Sequence, residues 1–178
     1  MRIACLAWGS LVWDPRGLSV SSPWYKDGPN VPVEYARQSG GHRLTLVLCK
    51  SFHIVPSLWA WMDGADLNDA IESLCQREGS SPNRIGVWRI GEGAPELIPG
   101  LVAWAKNKGA DSVIWTALLP KFQNDDGRVP SVDEALVYLR SLGKDYQPGA
   151  EEYVRKTPAQ IRTPYRCEFE RRLGWLPE

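Results

Sequence analysis

The opening segment, Arg2-Ile-Ala-Cys-Leu-Ala-Trp-Gly-Ser-Leu-Val-Trp-Asp-Pro15, constrains this chain more than any other. Ile3 to Trp8 is an apolar run of strand length that ends abruptly at Gly9-Ser10, and a second apolar patch, Leu11-Val12-Trp13, stops at Asp14-Pro15. Glycine at a strand end permits dihedrals that other residues avoid and lets the backbone pass close to a neighbour. The N–H groups of such a turn can converge on an oxygen and form a small anion cradle. Further along, Leu74-Cys-Gln-Arg-Glu-Gly79 puts a carboxylate on the last turn of a predicted helix, directly before a glycine. A turn able to grip a carboxylate and one well-placed Glu point together to a small-molecule enzyme.

The rest of the chain alternates strand and helix signals, which predicts an α/β (α+β) fold. Strands are expected at Ile3–Trp8, Val31–Arg37, Arg43–Cys49, Leu58–Trp61, Ile85–Ile90 and Ser112–Leu118. The turn signal Ser39-Gly-Gly-His42 joins the second to the third. Asp66 to Arg77 reads as a helix because Leu67, Ala70, Ile71, Leu74 and Cys75 recur on one face, with Gly64 before it and Gly79-Ser-Ser-Pro82 after it. Ser131 to Leu142 is a second helix with Ser131 as its N-cap and Gly143 beyond its end. Gly149–Lys156 and Pro164–Leu173 are shorter helical segments, set apart by Pro148, Pro158 and Pro164. Pro23–Pro32 and Phe122–Pro130 read as surface loops, the first of them long enough to serve as a lid or as a plain connector. No repeat or low-complexity segment interrupts the pattern.

Composition narrows the class. A chain of 178 residues buries roughly 70% of its unfolded surface on folding, which predicts a single domain over residues 1–178. Lys plus Arg and Asp plus Glu each number 21, for a net charge of zero, so nothing draws the protein electrostatically to nucleic acid or an anionic membrane. The basic residues from Arg162 to Arg172 alternate with Glu168 and Glu170, as on a solvated helix face. No signal-peptide core is present and no apolar run approaches the ~20 residues of a membrane span, so a cytoplasmic location is expected. The four cysteines, Cys5, Cys49, Cys75 and Cys167, form no CxxC pair, and His42 and His53 are the two histidines. Metal-ligand spacing is therefore missing, and no metal or organic cofactor is expected. Cys5 and Cys49 lie in strand-like runs, where a buried free thiol is the ordinary outcome.

Nine tryptophans are a heavy load. Trp8, Trp13, Trp59, Trp61, Trp88, Trp104 and Trp115 fall in strand-like segments, and most should be core. Trp8 is the exception with a candidate functional role, because it abuts the glycine turn.

Three segments carry a family resemblance. The chain resembles the gamma-glutamylcyclotransferase-like superfamily, including its glutathione-degrading ChaC-type branch. Those proteins open with a strand running into Tyr-Gly-Ser-(Asn/Leu), read here as Trp8-Gly9-Ser10-Leu11. Trp8 to Pro15 also tracks the longer ChaC-type opening, with Trp13-Asp14-Pro15 in place. The family's apolar Val-Trp-Gly strand is matched by Val55-Pro-Ser-Leu-Trp-Ala60, and its helix ending in (Gln/Arg)-Glu-Gly by Arg77-Glu78-Gly79. The match covers residues 2 to about 90, and the second half only loosely. The departure is Trp8 for tyrosine, which removes a phenol from the site.

The resemblance implies a small mixed β-barrel with surrounding helices. It also implies a cofactor-free reaction that cyclises a gamma-glutamyl amide or peptide to 5-oxoproline and a free amine. Glu78 would be the general acid/base, and Trp8, Gly9, Ser10 and Leu11 would hold the substrate. Arg37 is a further candidate to bind the substrate carboxylate, although strand arginines ordinarily face solvent. Tyr165 is a candidate to supply the hydroxyl that Trp8 lacks. No Gly-x-Ser-x-Gly elbow surrounds Ser10, so it is a donor to substrate rather than a nucleophile. Glu34, beside Tyr35 on a predicted strand, is either an inward polar residue or outward-facing. A monomer or a homodimer is compatible with the sequence, and a small molecule is the expected partner. The alternative is a non-catalytic module of the same fold that binds an amino-acid-like or peptide carboxylate, since fold does not dictate function.

Overall fold

In the computed structural model, which describes residues 1–50 and 53–178, Ile3–Ala7 (β1) is buried at every position. The elements that follow are β2 (Asn30–Val31), β3 (Val33–Ser39), β4 (Arg43–Leu48), β5 (Val55–Pro56), β6 (Leu58–Trp61), α1 (Leu67–Glu78) and β7 (Ile85–Arg89). After these come α2 (Leu101–Lys108), β8 (Ser112–Thr116), β9 (Lys121–Phe122), β10 (Asp125–Asp126), α3 (Val132–Ser141), α4 (Gln147–Lys156) and α5 (Pro164–Leu173). This is a mixed α/β protein. Its contacts group into two compact units, Met1–Val31 with Pro56–Leu118, and Pro32–Val55 with Leu119–Glu178.

The first unit is built on a sheet of order β6-β1-β8-β7. β1 runs antiparallel to β6, with Cys5 opposite Ala60, and parallel to β8, with Ile3 opposite Ser112. β7 closes the other side, antiparallel to β8. A strand whose residues are all apolar belongs in such an interior position, because neither of its faces tolerates water. α1 lays Leu67, Ala70, Leu74 and Cys75 against Ile3, Cys5, Ala7, Ile85 and Ile114. Its ends are set by chemistry legible in the sequence. The Asp66 carboxylate accepts from the N–H groups of Asn68 (2.8 Å) and Asp69 (3.3 Å). Gly79 takes the left-handed conformation (φ 58°) that glycine tolerates best at a helix end.

Among the described residues neither four-stranded sheet closes into the expected barrel. The free edge of β6 is occupied instead by the preceding chain. Tyr25 N–H donates to the Trp59 carbonyl (2.8 Å), Trp59 N–H to Tyr25 (3.0 Å), and Ser21 N–H to Trp61 (2.9 Å). The Pro23–Pro32 segment therefore is not a plain surface loop; its Tyr25 ring rests on Trp59 at 4.7 Å. The Asp27 carboxylate ties it further, accepting from Trp59 Nε1 (2.8 Å) and Lys108 Nζ (2.6 Å).

α2 has no counterpart among the predicted helices, and Trp104, expected on a strand, lies within it. The element is short, and its Val and Trp residues are ordinary strand formers. Gly109 ends it in the left-handed region (φ 68°).

The second unit carries a sheet of order β10-β9-β3-β4. β3 and β4 are antiparallel, with a register shift between Tyr35 and Arg37. Phe122–Pro130, expected as a loop, contains the second residue of the short β9 and all of β10. Tyr35 is fully buried, edge-on to Phe169 (5.3 Å between centroids) and Tyr153 (6.2 Å), and its hydroxyl donates to Thr157 Oγ1 (3.0 Å). Ser131 caps α3 as expected, in a reciprocal capping box with Glu134. The buried Arg166 guanidinium donates to the carbonyls of Thr157, Pro158 and Ile161. Among the described residues no helix is long and apolar enough to cross a membrane.

Gly86 on β7 faces Trp115 on β8, and a Cβ at Gly86 would lie 2.1 Å from the Trp115 ring. Gly86→Ala is expected to lower stability by about 1–3 kcal/mol, the usual cost of overpacking. The check is the urea midpoint; an unchanged midpoint would show that the indole does not lie over residue 86.

Candidate functional site

Where β1 ends, the chain winds into a helical turn. Val12 N–H donates to the Gly9 carbonyl (3.1 Å) and Asp14 N–H to the Ser10 carbonyl (2.8 Å). The N–H groups of Gly9, Ser10 and Leu11 take no part in these two bonds. The turn is anchored from below. Leu11 packs into the same apolar cluster as β1 and α1, and the Trp8 side chain is buried.

The last turn of α1 brings Arg77 and Glu78 to that anchored turn. Arg77 Nε and Nη2 both donate to the Asp14 carbonyl (3.1 and 2.8 Å), and Nη2 also donates to Ser10 Oγ (3.0 Å). Nη1 donates to Glu78 Oε1 (3.2 Å). The two side chains are 5% and 15% exposed. One guanidinium thus joins a hydroxyl 67 positions away in sequence to the neighbouring carboxylate.

Burial pushes the Glu78 carboxyl above its ordinary pKa, while the positive charges of Arg77 and then Arg16 pull it down. A carboxyl raised in this way exchanges a proton more readily near neutral pH than an exposed Glu does. Cys5, fully buried on β1, is pushed far up by its own desolvation, with Glu78 adding to the effect. Such burial favours the thiol over the more nucleophilic thiolate.

Of the residues singled out from the sequence, Trp8, Gly9, Ser10, Leu11 and Glu78 lie in the first unit, and Arg37 and Tyr165 in the second. Arg37 Nη1 donates to the Leu119 carbonyl (2.8 Å). The Tyr165 hydroxyl donates to the Pro130 carbonyl (2.5 Å). Among the described residues no group of three or more His, Cys, Asp or Glu is placed to hold a metal ion.

Arg77 carries a role that the sequence reading left unassigned. The signal was present: Ala70, Leu74 and Arg77 follow the spacing of the buried stripe of α1, so an arginine occupies a position where an apolar residue is the norm.

The second unit holds its own buried carboxyl. Glu34 points inward, 4% exposed, and settles the two orientations open to it. Its Oε1 accepts from Thr163 Oγ1 (2.5 Å) and Tyr35 N–H (3.0 Å), and its Oε2 from Tyr165 N–H (3.3 Å). It therefore sits at the N-terminal end of α5. Burial raises its pKa to about 7 against the opposing pull of those hydrogen bonds.

Searches against family models, curated proteins and solved structures found no match for this chain. The family resemblance accordingly rests on the motifs at 8–15, 55–60 and 77–79 alone.

The Glu34 shift has a definite sign for stability. Its folded-state pKa lies above the unfolded value, so the stabilising contribution is present at low pH and lost as the pH rises through about 7. Full ionisation is expected to cost on the order of 3 kcal/mol. Thermal melts of wild type and Glu34→Gln between pH 5 and 8 check this: the wild type should lose stability relative to the variant across that window.

Proposed function

We propose that this protein is a gamma-glutamylcyclotransferase-like enzyme that converts a gamma-glutamyl amide or peptide to 5-oxoproline and a free amine. The observation that carries this reading is the partly buried Glu78 carboxyl, joined through Arg77 to the Ser10 hydroxyl of the Gly9–Leu11 turn. A mobile surface glutamate needs neither burial nor a shared cation.

In this reading, the leading N–H groups of the turn hold the substrate carboxylate or the developing oxyanion. Glu78 takes a proton from the substrate alpha-ammonium. The freed amine attacks the gamma-carbonyl carbon, forming the ring C–N bond, and the bond to the leaving nitrogen breaks. Glu78 then returns its proton to that nitrogen, so one carboxyl serves both steps. Holding a flexible gamma-glutamyl chain in a folded, attack-ready shape supplies much of the remaining acceleration. Ser10 contributes the hydroxyl of a turn in which Trp8 replaces the family's tyrosine. The reading assigns residues 1–178 to the gamma-glutamylcyclotransferase-like superfamily as a single domain and puts the reaction in the cytoplasm, with the chain acting as a monomer or homodimer. Its support is the set of sequence motifs and the order strand, turn, helix, Glu.

The test is 5-oxoproline release, followed by mass spectrometry, from a panel of gamma-glutamyl amides and dipeptides including glutathione. Wild type is expected to turn over at least one of them, and Glu78→Gln to fall by about 10²–10⁴-fold. Because the carboxylate form is the base, activity should decline on acidification with a midpoint above the ordinary Glu range. Equal rates in wild type and variant would rule Glu78 out. Tight binding of a panel member with no turnover would favour a carboxylate-binding module.

A further inference from the structure

We infer that Arg77 is the positioning residue of this site, fixing the Glu78 carboxylate and the Gly9–Asp14 turn to one another through a single buried guanidinium. The inference rests on the proposed role of Glu78. It starts from an arrangement that is expensive to maintain. An arginine side chain only 5% exposed loses most of its hydration, and such a charge persists where its donors are matched. Here Nε and Nη2 fork onto the Asp14 carbonyl, Nη2 reaches Ser10 Oγ, and Nη1 reaches Glu78 Oε1.

Each contact falls on a different part of the site. The Asp14 carbonyl lies at the end of the turn, Ser10 near its start, and Glu78 is the acid/base. A planar fork can hold three such partners in one geometry, whereas an ammonium, being a point charge, cannot. The guanidinium also has an electrostatic duty. Glu78 sits at the C-terminal end of α1, where the helix dipole disfavours an anion. Among the described residues, the charged or titratable groups that bear on its carboxyl are Arg77, Arg16 beyond the turn, and the Cys5 thiol of β1. Arg16 is more than half exposed and already paired with Asp14, so Arg77 is the principal local stabiliser of the ionised form.

The experiment reads Glu78 directly, by following its side-chain carboxyl with ¹³C NMR against pH, beside the pH profile of kcat. In wild type, the Arg77 Nε and Nη resonances should move at the Glu78 midpoint, which requires no variant to fold. In Arg77→Gln the midpoint should rise, the acid limb of kcat should rise with it, and kcat should drop by up to about 10²-fold, as a small misplacement of catalytic groups does. Arg77→Lys should hold the midpoint close to wild type while leaving kcat low, because it restores charge without the fork. Arg77 resonances indifferent to the Glu78 titration, or a midpoint unmoved in Arg77→Gln, would overturn the inference. If no substrate is turned over and the midpoint still moves, the cyclotransferase reading fails while the positioning role stands.

Discussion

With all five residues of β1 shielded from water, this strand is stable only in the interior of a sheet, with a partner on each side. β6 and β8 fill those places, one antiparallel and one parallel. The rest of the first unit follows. α1 must cover the face that carries Ile3, Cys5 and Ala7, and the chain leaving β1 must turn at the edge of that covered face. The glycine turn and the C-terminal end of α1 meet because both are tied to the same central strand.

That meeting creates an electrostatic problem that Arg77 resolves. A carboxylate at a helix C-terminus faces carbonyl dipoles, and burial removes the water that would otherwise offset them. The guanidinium answers both the carboxylate and the carbonyl of Asp14. Glu34 shows the opposite arrangement. It lies at the N-terminal end of α5, where N–H groups and the Thr163 hydroxyl face it. Neutral donors only partly counter its desolvation, so its pKa settles near the middle of the physiological range, at about 7. A buried and a partly buried glutamate are therefore held by different means, a helix end for Glu34 and a shared cation for Glu78.

Much of the local structure was legible because it is written in local chemistry. Leu58–Trp61 and Pro164–Leu173 have the boundaries expected from pattern and proline placement. Asp66, Gly79 and Ser131 act at helix ends because their side chains or their conformational freedom suit those positions. α2 was not legible, since its Val and Trp residues favour strands and only its packing overrides that preference. The edge pairing of Tyr25 with Trp59 was hidden for a different reason: backbone hydrogen bonds between distant segments leave little trace in side-chain pattern. This pairing also bears on the barrel, because an edge already hydrogen-bonded to its own chain has no ladder left for another strand.

By itself, the sequence determined the strand and helix alternation, the helix caps, the glycine turn after β1 and the placement of Glu78 on a helix's last turn. These depend on nearest neighbours and periodicity, which a chain carries without folding. Tertiary structure alone decided that Arg77 would bridge Glu78 and Ser10, that Glu34 would turn inward onto α5, and that Arg37 and Tyr165 would take partners in the second unit. Each of these outcomes turns on which distant groups share a low-dielectric interior, where an unpaired charge or donor is costly, and that is defined only once the chain has packed.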